Sequence, residues 1–553
     1  MQTIIAVLFV AAIIGALAAF AGILFIDGAV WAGGWQESGG IALLLLPMAA
    51  GLICALIARH LPGGVFLGLA DIVLQAQRGG THRLRHHLLA SAASFIALTG
   101  GASVGQYGPV AHLGGALVGV TRLLPPRITI ACGVAAAVAA AFNAPFTALI
   151  FVHEVVLRSY SLRAFTPVAV SAVVGYSVSI GVFNRPLFLE LPQMATHHPL
   201  LVLFFIVMGF VFGGLAFLYL RGIFWFFQRS RGVPLFVRLP LAGLVAGALA
   251  FSMPEIAGGG KLLLQQAVNG MPFSEGTFLL FAKVAATIVC LGAGFAGGVV
   301  SPTLSIGALA GLFFFNAAAV FIPDLSATLP VAVVVLCGMM ALTAPVLGAP
   351  VAAILFTLEL AGNYPVAIAA AITIAVAVQT TAKLGGQSYY DLQLAQRGVD
   401  IRLRYDEWRL TTDTIAPLLK PVATNIVALA PTTLLSEAIA QVVENKRSVI
   451  YLLKENGSYG GSLSLVTAIG LVQTQTAPLT LQQAITRHGN GKILLTNSDT
   501  LTAAMKKIAA IDETIIPVVD SSHALIGVLR VQDLFQRYRQ LVQEQRQEET
   551  AIS

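Results

Sequence analysis

The chain has 553 residues, 57% of them hydrophobic and only 10% charged, with a formal net charge of +7. That composition excludes an ordinary soluble domain and fits a polytopic membrane protein. The positive balance does not mark a nucleic-acid binder, because the basic residues are scattered through short hydrophilic breaks: Arg78, Arg83 and Arg85, then Arg221, Arg229, Arg231 and Arg238. Such breaks read as cytoplasmic loops obeying the positive-inside bias.

A spanning helix needs ~20 apolar residues, and the runs at 3–26, 41–58, 200–220 and 327–347 supply them, among others. The first run has no basic leader and no evident cleavage site, so it reads as a retained membrane helix. Other runs are short or broken by Gly and Pro, which predicts helices that stop partway across the membrane. Cys54, Cys132, Cys290 and Cys337 all lie in apolar runs, with neither metal-like spacing nor a disulfide framework.

Between two of these runs lies GGASVGQYGPVAHLGG, residues 100–115. Its glycines make a flexible turn, and Pro109 suits the first turn of the apolar helix that follows. A helix starting inside a membrane has unpaired N–H groups and a positive dipole end, for which an anion is the natural partner. The plainer alternative is a glycine-rich turn that serves helix packing.

The chain repeats itself. APFTALIFVHE at 144–154 matches APVAAILFTLE at 349–359, with Pro, Phe and Glu in identical places 205 residues apart. Upstream of each copy is a glycine turn ending in proline, Gly105 to Pro109 and Gly298 to Pro302, with the prolines 193 residues apart. Two motifs recurring in one order predict structural repeats at ~1–195 and ~200–395, a common transporter plan. If the pair is inverted, both proline-led helix starts converge on one site. The matching acids, Glu154 and Glu359, are functional candidates because an acid in the membrane is costly. Their symmetry equally fits a structural role, bonding to neighbouring backbone.

The apolar runs end at GGQSYY, 385–390, and from Arg402 charges are frequent. The membrane part is therefore expected over 1–400 and a soluble part over 401–553. In the latter, helix-then-strand patterns recur at 434–453 and 500–530, predicting two similar α/β modules at ~414–475 and ~490–545.

These residues resemble a known family. GASVGQYGP with His112 close behind, FNAP at 142–145 and GVVSP at 298–302 are similar to the signature regions of CLC chloride channels and chloride/proton antiporters, and the C-terminal pair resembles their tandem CBS domains. The resemblance covers essentially the whole chain. It implies an all-α inverted-repeat membrane fold with broken helices, followed by a soluble α/β CBS pair. It also implies a homodimer in the cell membrane with one anion path per subunit, cytoplasmic CBS domains, and a transport protein rather than an enzyme. By the resemblance, the anion path takes in Gly105, Gln106, Tyr107, Gly108, Val299, Val300 and Tyr390, with chloride the default anion. Tyr390 also reads as an interfacial aromatic anchor.

The departures bear on mechanism. The family's usual motif is Gly-Lys/Arg-Glu-Gly-Pro, whose glutamate gates the path and carries protons; here Gln106 and Tyr107 occupy the basic and acidic positions. A phenol, with a pKa of about 10, stays neutral at ordinary pH. The inner proton glutamate of the antiporters, which follows the acid matched by Glu154, is Val155. Both departures predict a passive chloride channel with Tyr107 as its gate. The alternatives are a halide antiporter using other acids, such as Glu154 or Asp71, and a transport-impaired regulatory protein. The family's first signature, with its anion-binding serine, is matched best by 66–71, which puts Leu67 in the serine's place.

Three further candidates carry two readings each. His82, His86 and His87 fit a solvated loop or a metal or pH sensor, and His112 fits a core hydrogen bond or a proton sensor. No cofactor is required, and no metal site is expected. In CBS modules an Asp can hold the ribose of an adenine nucleotide; here Asp533 is kept while Arg530 replaces the hydroxyl residue, and Ser464 is kept while Thr467 replaces the aspartate. The pair therefore reads as a nucleotide site centred on Asp533, or as a scaffold for dimerisation and gating.

Overall fold

The computed structural model describes residues 2–78, 83–119, 124–185, 188–189, 201–322, 329–397, 399, 413–421, 427–447, 449–454, 458–475, 477–488, 495–508, 515–520 and 523–550. His82 and Arg402, and the first residues of the runs at 200–220 and 327–347, lie outside them. The chain divides into two compact units, Met1–Ile401 and Arg402–Ser553.

The first unit is helical. Among its described residues, eight helices are long and apolar enough to cross a membrane. In the first half the helices are α1 (Gln2–Gly33), α2 (Ile41–Ala58), α3 (Leu69–Arg78), α4 (Leu84–Thr99), α5 (Tyr107–Val118), α6 (Pro126–Phe142), α7 (Pro145–Phe151) and α8 (Leu162–Gly181). The second half has α9 (Leu201–Ser230), α10 (Leu235–Ser252), α11 (Lys261–Asn269), α12 (Phe273–Gly292), α13 (Val300–Phe321), α14 (Val331–Leu347), α15 (Pro350–Ala361), α16 (Tyr364–Lys383) and the short α17 (Tyr389–Ala395).

The halves are built alike. α1 packs on α6 and α8 as α9 packs on α14 and α16, and α6 meets α8 as α14 meets α16. α6 and α14 are apolar on every side and accordingly form the two cores: every residue from Ala332 to Leu347 is buried. The 193-residue spacing recurs in the backbone, since Gly101 and Gly294 both take a φ of +86° where the chain leaves α4 and α12. The 205-residue spacing recurs too: Asn143 (φ +53°) and Gly348 (φ +72°) end α6 and α14 in the left-handed conformation. Glycines let the helices touch. A Cβ on Gly114 of α5 would meet the Gly133 carbonyl of α6 at 2.6 Å, and one on the equivalent Gly307 of α13 would meet the Gly338 carbonyl of α14 at 2.9 Å.

The repeats are inverted. The turns before α5 and α13 pair antiparallel, Gly105 N donating to Gly298 O at 2.7 Å and Gly298 N to Gly105 O at 2.8 Å. Repeat mates α2 and α10 also pack on each other, as do α7 and α15. Short helices that begin or end within this unit, such as α5, α7 and α15, are the interrupted segments that the glycine and proline pattern predicts.

The second unit contains two modules of one plan, as the CBS resemblance implies. β1 (Val427–Leu429), α18 (Leu435–Glu444), β2 (Val449–Leu453), β3 (Tyr459–Ser464), α19 (Leu465–Thr474) and α20 (Leu481–His488) precede β4 (Leu495–Thr496), α21 (Leu501–Ile508), β5 (Ile515–Val519), β6 (Leu525–Arg530) and α22 (Val531–Thr550). The sheet orders are β1-β2-β3 and β4-β5-β6, each with one parallel and one antiparallel neighbour. Tyr451, Tyr459, Val519 and Val528 form a core shared by both sheets, and the Tyr451 hydroxyl donates to the Ile515 carbonyl at 2.8 Å.

Candidate functional site

The two helix starts meet because nothing larger than glycine fits between them. A Cβ on Gly108 would lie 2.8 Å from Gly298 Cα, and one on Gly298 would lie 2.8 Å from Gly108 N. Gly105 and Gln106 build the junction: the Gln106 N–H donates to Ser301 Oγ at 3.2 Å. Neither α5 nor α13 has a side-chain cap. The N–H groups of Tyr107, Gly108, Val299 and Val300 find no acceptor among the described residues. Uncapped helix N-termini that face each other concentrate positive dipole ends, the arrangement that favours an anion.

Beneath the junction is a cavity of ≈ 60 Å³ whose wall includes Tyr107, Gly108, Val300 and Tyr390. That is more than the ~10–15 Å³ a single water needs, so there is room for a small ion, although the lining is almost wholly apolar. The Tyr390 hydroxyl is buried and has no partner among the described residues, a polar group left unsatisfied on a residue that borders the cavity. Of the segment 66–71, Leu69 lines this cavity, whereas Leu67 lines a larger recess of ≈ 490 Å³ with Arg231, Arg238 and Arg397. The α3 start separates the two: Asp71 accepts from the Gly68 N–H at 2.8 Å and is ion-paired with Arg397.

Tyr107 is the first residue of α5 and is buried. Its ring packs on Phe142 with centroids 4.1 Å apart, and Phe188 and Phe356 complete the aromatic cluster. Sequence reading of the glycine frame points to Tyr107 but not to this cluster, whose members come from distant parts of the chain.

The repeated glutamates serve backbone, and they do so reciprocally. Glu154 accepts from the N–H groups of Val351 and Ala352, both at 2.9 Å, at the start of α15. Glu359 accepts from the N–H groups of Phe146 and Thr147 at 2.9 and 2.8 Å, and from the Thr147 hydroxyl, at the start of α7. Each acid satisfies orphan donors of the other repeat and complements its dipole. Two helix starts are thereby neutralised while those of α5 and α13 stay open. Glu154 sits in a π-helical turn, Val152–Leu157, that also buries Val155.

The remaining candidates separate. His112 is buried and lies 2.8 Å, ring nitrogen to ring nitrogen, from the equally buried His87, so His87 belongs to the packed core while His86 stays outside it. Among the described residues no group of three His, Cys, Asp or Glu side chains is placed to hold a metal. In the second unit Ser464 caps α19 by accepting from the Thr467 N–H at 3.1 Å. Asp533 opens α22, and its Oδ2 is buried without a partner among the described residues.

Inverted repeats of interrupted helices, crossing the membrane and converging on uncapped helix starts, define a membrane transport protein of the inverted-repeat class. The chain belongs to the voltage-gated chloride channel family, whose model matches residues 68–382. It is 31% identical over 382 residues to a protein of Ralstonia nicotianae named as a ClcB-like chloride channel protein, covering 65% of this chain and 87% of that one. It is 29% identical to the H(+)/Cl(-) exchange transporter ClcA of Vibrio parahaemolyticus, covering 73% and 93%. Its fold matches the crystal structure of a slow cyanobacterial Cl-/H+ antiporter with a TM-score of 0.63 at 23% identity, over 72% of this chain and 98% of that one. It also matches a eukaryotic CLC transporter with a TM-score of 0.62 at 18% identity, over 96% and 99%. The protein is thus an integral membrane anion transport protein of the CLC family.

Proposed function

We propose that this chain moves chloride passively, as a channel or uncoupled transporter, with Tyr107 as an uncharged gate. The observation that carries the reading is the phenol at the first residue of α5, lying over the cavity where the family's gating carboxylate is expected. The acids that would have to replace that carboxylate are engaged: Glu154 and Glu359 by helix N–H groups, Asp71 by Arg397. In this account chloride enters from the arginine-lined recess and passes the α3 start. It takes a hydrogen bond from Tyr390 and replaces its water with the N–H groups of Tyr107, Gly108, Val299 and Val300. Leaving past α5 requires the Tyr107 ring to swing off Phe142. Removing the ring is therefore predicted to speed the flux: Tyr107→Ala in liposomes should release chloride faster than wild type. Equal rates would show that the ring is no barrier.

Proton-coupled exchange is the second reading, supported by the exchange activity in the names of the Vibrio relatives. A fluoride/proton antiporter among the fold matches makes another halide its natural variant. The chain acts as a homodimer in this account, with the CBS pair in the cytoplasm. The unpartnered Asp533 oxygen suits a ribose hydroxyl of an adenine nucleotide. Calorimetric titration with ATP is expected to give binding that Asp533→Ala removes; no heat with wild type would leave the pair a scaffold.

A further inference from the structure

Lys283 of α12 is the one lysine or arginine buried among the described residues, and it is fully so. Its ammonium donates to the carbonyls of Ile256 and Gly258 at 2.7 and 2.6 Å. None of the ion pairs among the described residues includes it. A cation held between two neutral carbonyls inside a membrane unit is costly, and its partner has to be sought.

The neighbours of that turn locate the charge. The Gly258 N–H donates to the Gly101 carbonyl at 3.3 Å. A Cβ on Gly259 would meet Ser301 Cβ at 3.2 Å; one on Gly260 would meet Ser305 Oγ at 2.7 Å and Lys283 Cε at 3.1 Å. One turn further along α12, Thr287 is hydrogen-bonded to Ser103 at 2.9 Å. Lys283 therefore stands behind both converging helix starts, on the face of α13 that carries Ser301 and Ser305. Val300 and Leu304 of the same two turns line the cavity. A helix is about 10 Å across with its side chains, which sets the scale of the separation between the ammonium and the cavity.

We infer that Lys283, in its ammonium form, is a counter-charge of the permeating anion and a determinant of anion over cation selectivity. The inference rests on the cavity under Tyr107 being the anion path. Two backbone carbonyls hold the ammonium without neutralising it, so its field reaches the cavity together with the dipoles of α5 and α13. Gln106 leaves the basic position beside Tyr107 neutral, which makes the lysine the buried monopole of the site. At an effective dielectric constant near 20, a unit charge about 10 Å away changes the affinity for a monovalent anion on the order of tenfold.

Purified wild type, K283M, K283R and K283Q are compared by chloride calorimetry and by chloride against potassium permeability in liposomes. K283M and K283Q should bind chloride about tenfold more weakly and lose selectivity, as the Coulomb estimate requires, and K283R should stay close to wild type. K283Q keeps an N–H donor for the carbonyls of the turn without the charge, so it carries the test should K283M not fold. A lysine that only clamps the turn would leave affinity and selectivity unmoved in K283Q, and that result overturns the inference alone. A wild type that neither binds nor conducts chloride overturns the pathway reading and this inference with it.

Discussion

A phenol at position 107 changes what the α5 start can hold. In the proposed account a carboxylate there would compete with chloride for the same N–H groups, whereas a neutral ring would obstruct. Restoring the acid is thus expected to bring pH dependence. In Tyr107→Glu the side chain is ionised and self-blocking above its pKa, and protonated and out of competition below it. Chloride flux should rise as pH falls toward roughly 4, the ordinary Glu range, while wild type stays flat over the same window. Efflux measured across that window checks this, and a flat mutant would place residue 107 off the path. Position 107 was legible because its glycine frame is distinctive. Lys283 was not, because a single lysine in an apolar run reveals its burial and its lack of an acid only when the turn at Ile256–Gly260 folds over it. Leu67 shows the same limit: whether Leu67 or Leu69 lines the cavity depends on how α3 begins, which composition does not settle.

At the scale of the element, four short or proline-led helix starts have to be satisfied within the membrane unit. Those of α7 and α15 are filled by acids from the opposite repeat; those of α5 and α13 carry no side-chain cap. The acids in the repeat were visible in the sequence, and their equivalence already allowed a structural role. Their partners were not visible, because each reaches across some two hundred residues to the other half. Glu154→Gln and Glu359→Gln each replace a charge-assisted acceptor pair with a weaker one, so each is expected to cost about 1.5–3 kcal/mol. The loss should appear as a lower unfolding temperature in detergent with the anion selectivity unchanged. A variant that keeps its stability but alters proton movement would return Glu154 to the transport mechanism.

For the whole molecule, the two spacings of 193 and 205 residues were enough to announce a duplicated plan, and the same spacings reappear in the left-handed turns and in the glycine contacts between helices. The inversion itself required the paired turns at Gly105 and Gly298, a long-range contact that no local pattern encodes. Duplication and inversion bring two helix starts together, and in the proposed account the residue at 107 decides whether proton movement accompanies the anion. Each chloride crossing the field is worth ~2.3 kcal/mol per 100 mV, so a passive path needs no second gradient. The decisive measurement is the reversal potential of the purified protein in a planar bilayer, with a chloride gradient held fixed and a pH gradient then imposed. This account predicts a reversal potential set by chloride alone and unmoved by pH; a shift that follows the proton gradient would contradict it and establish coupled exchange.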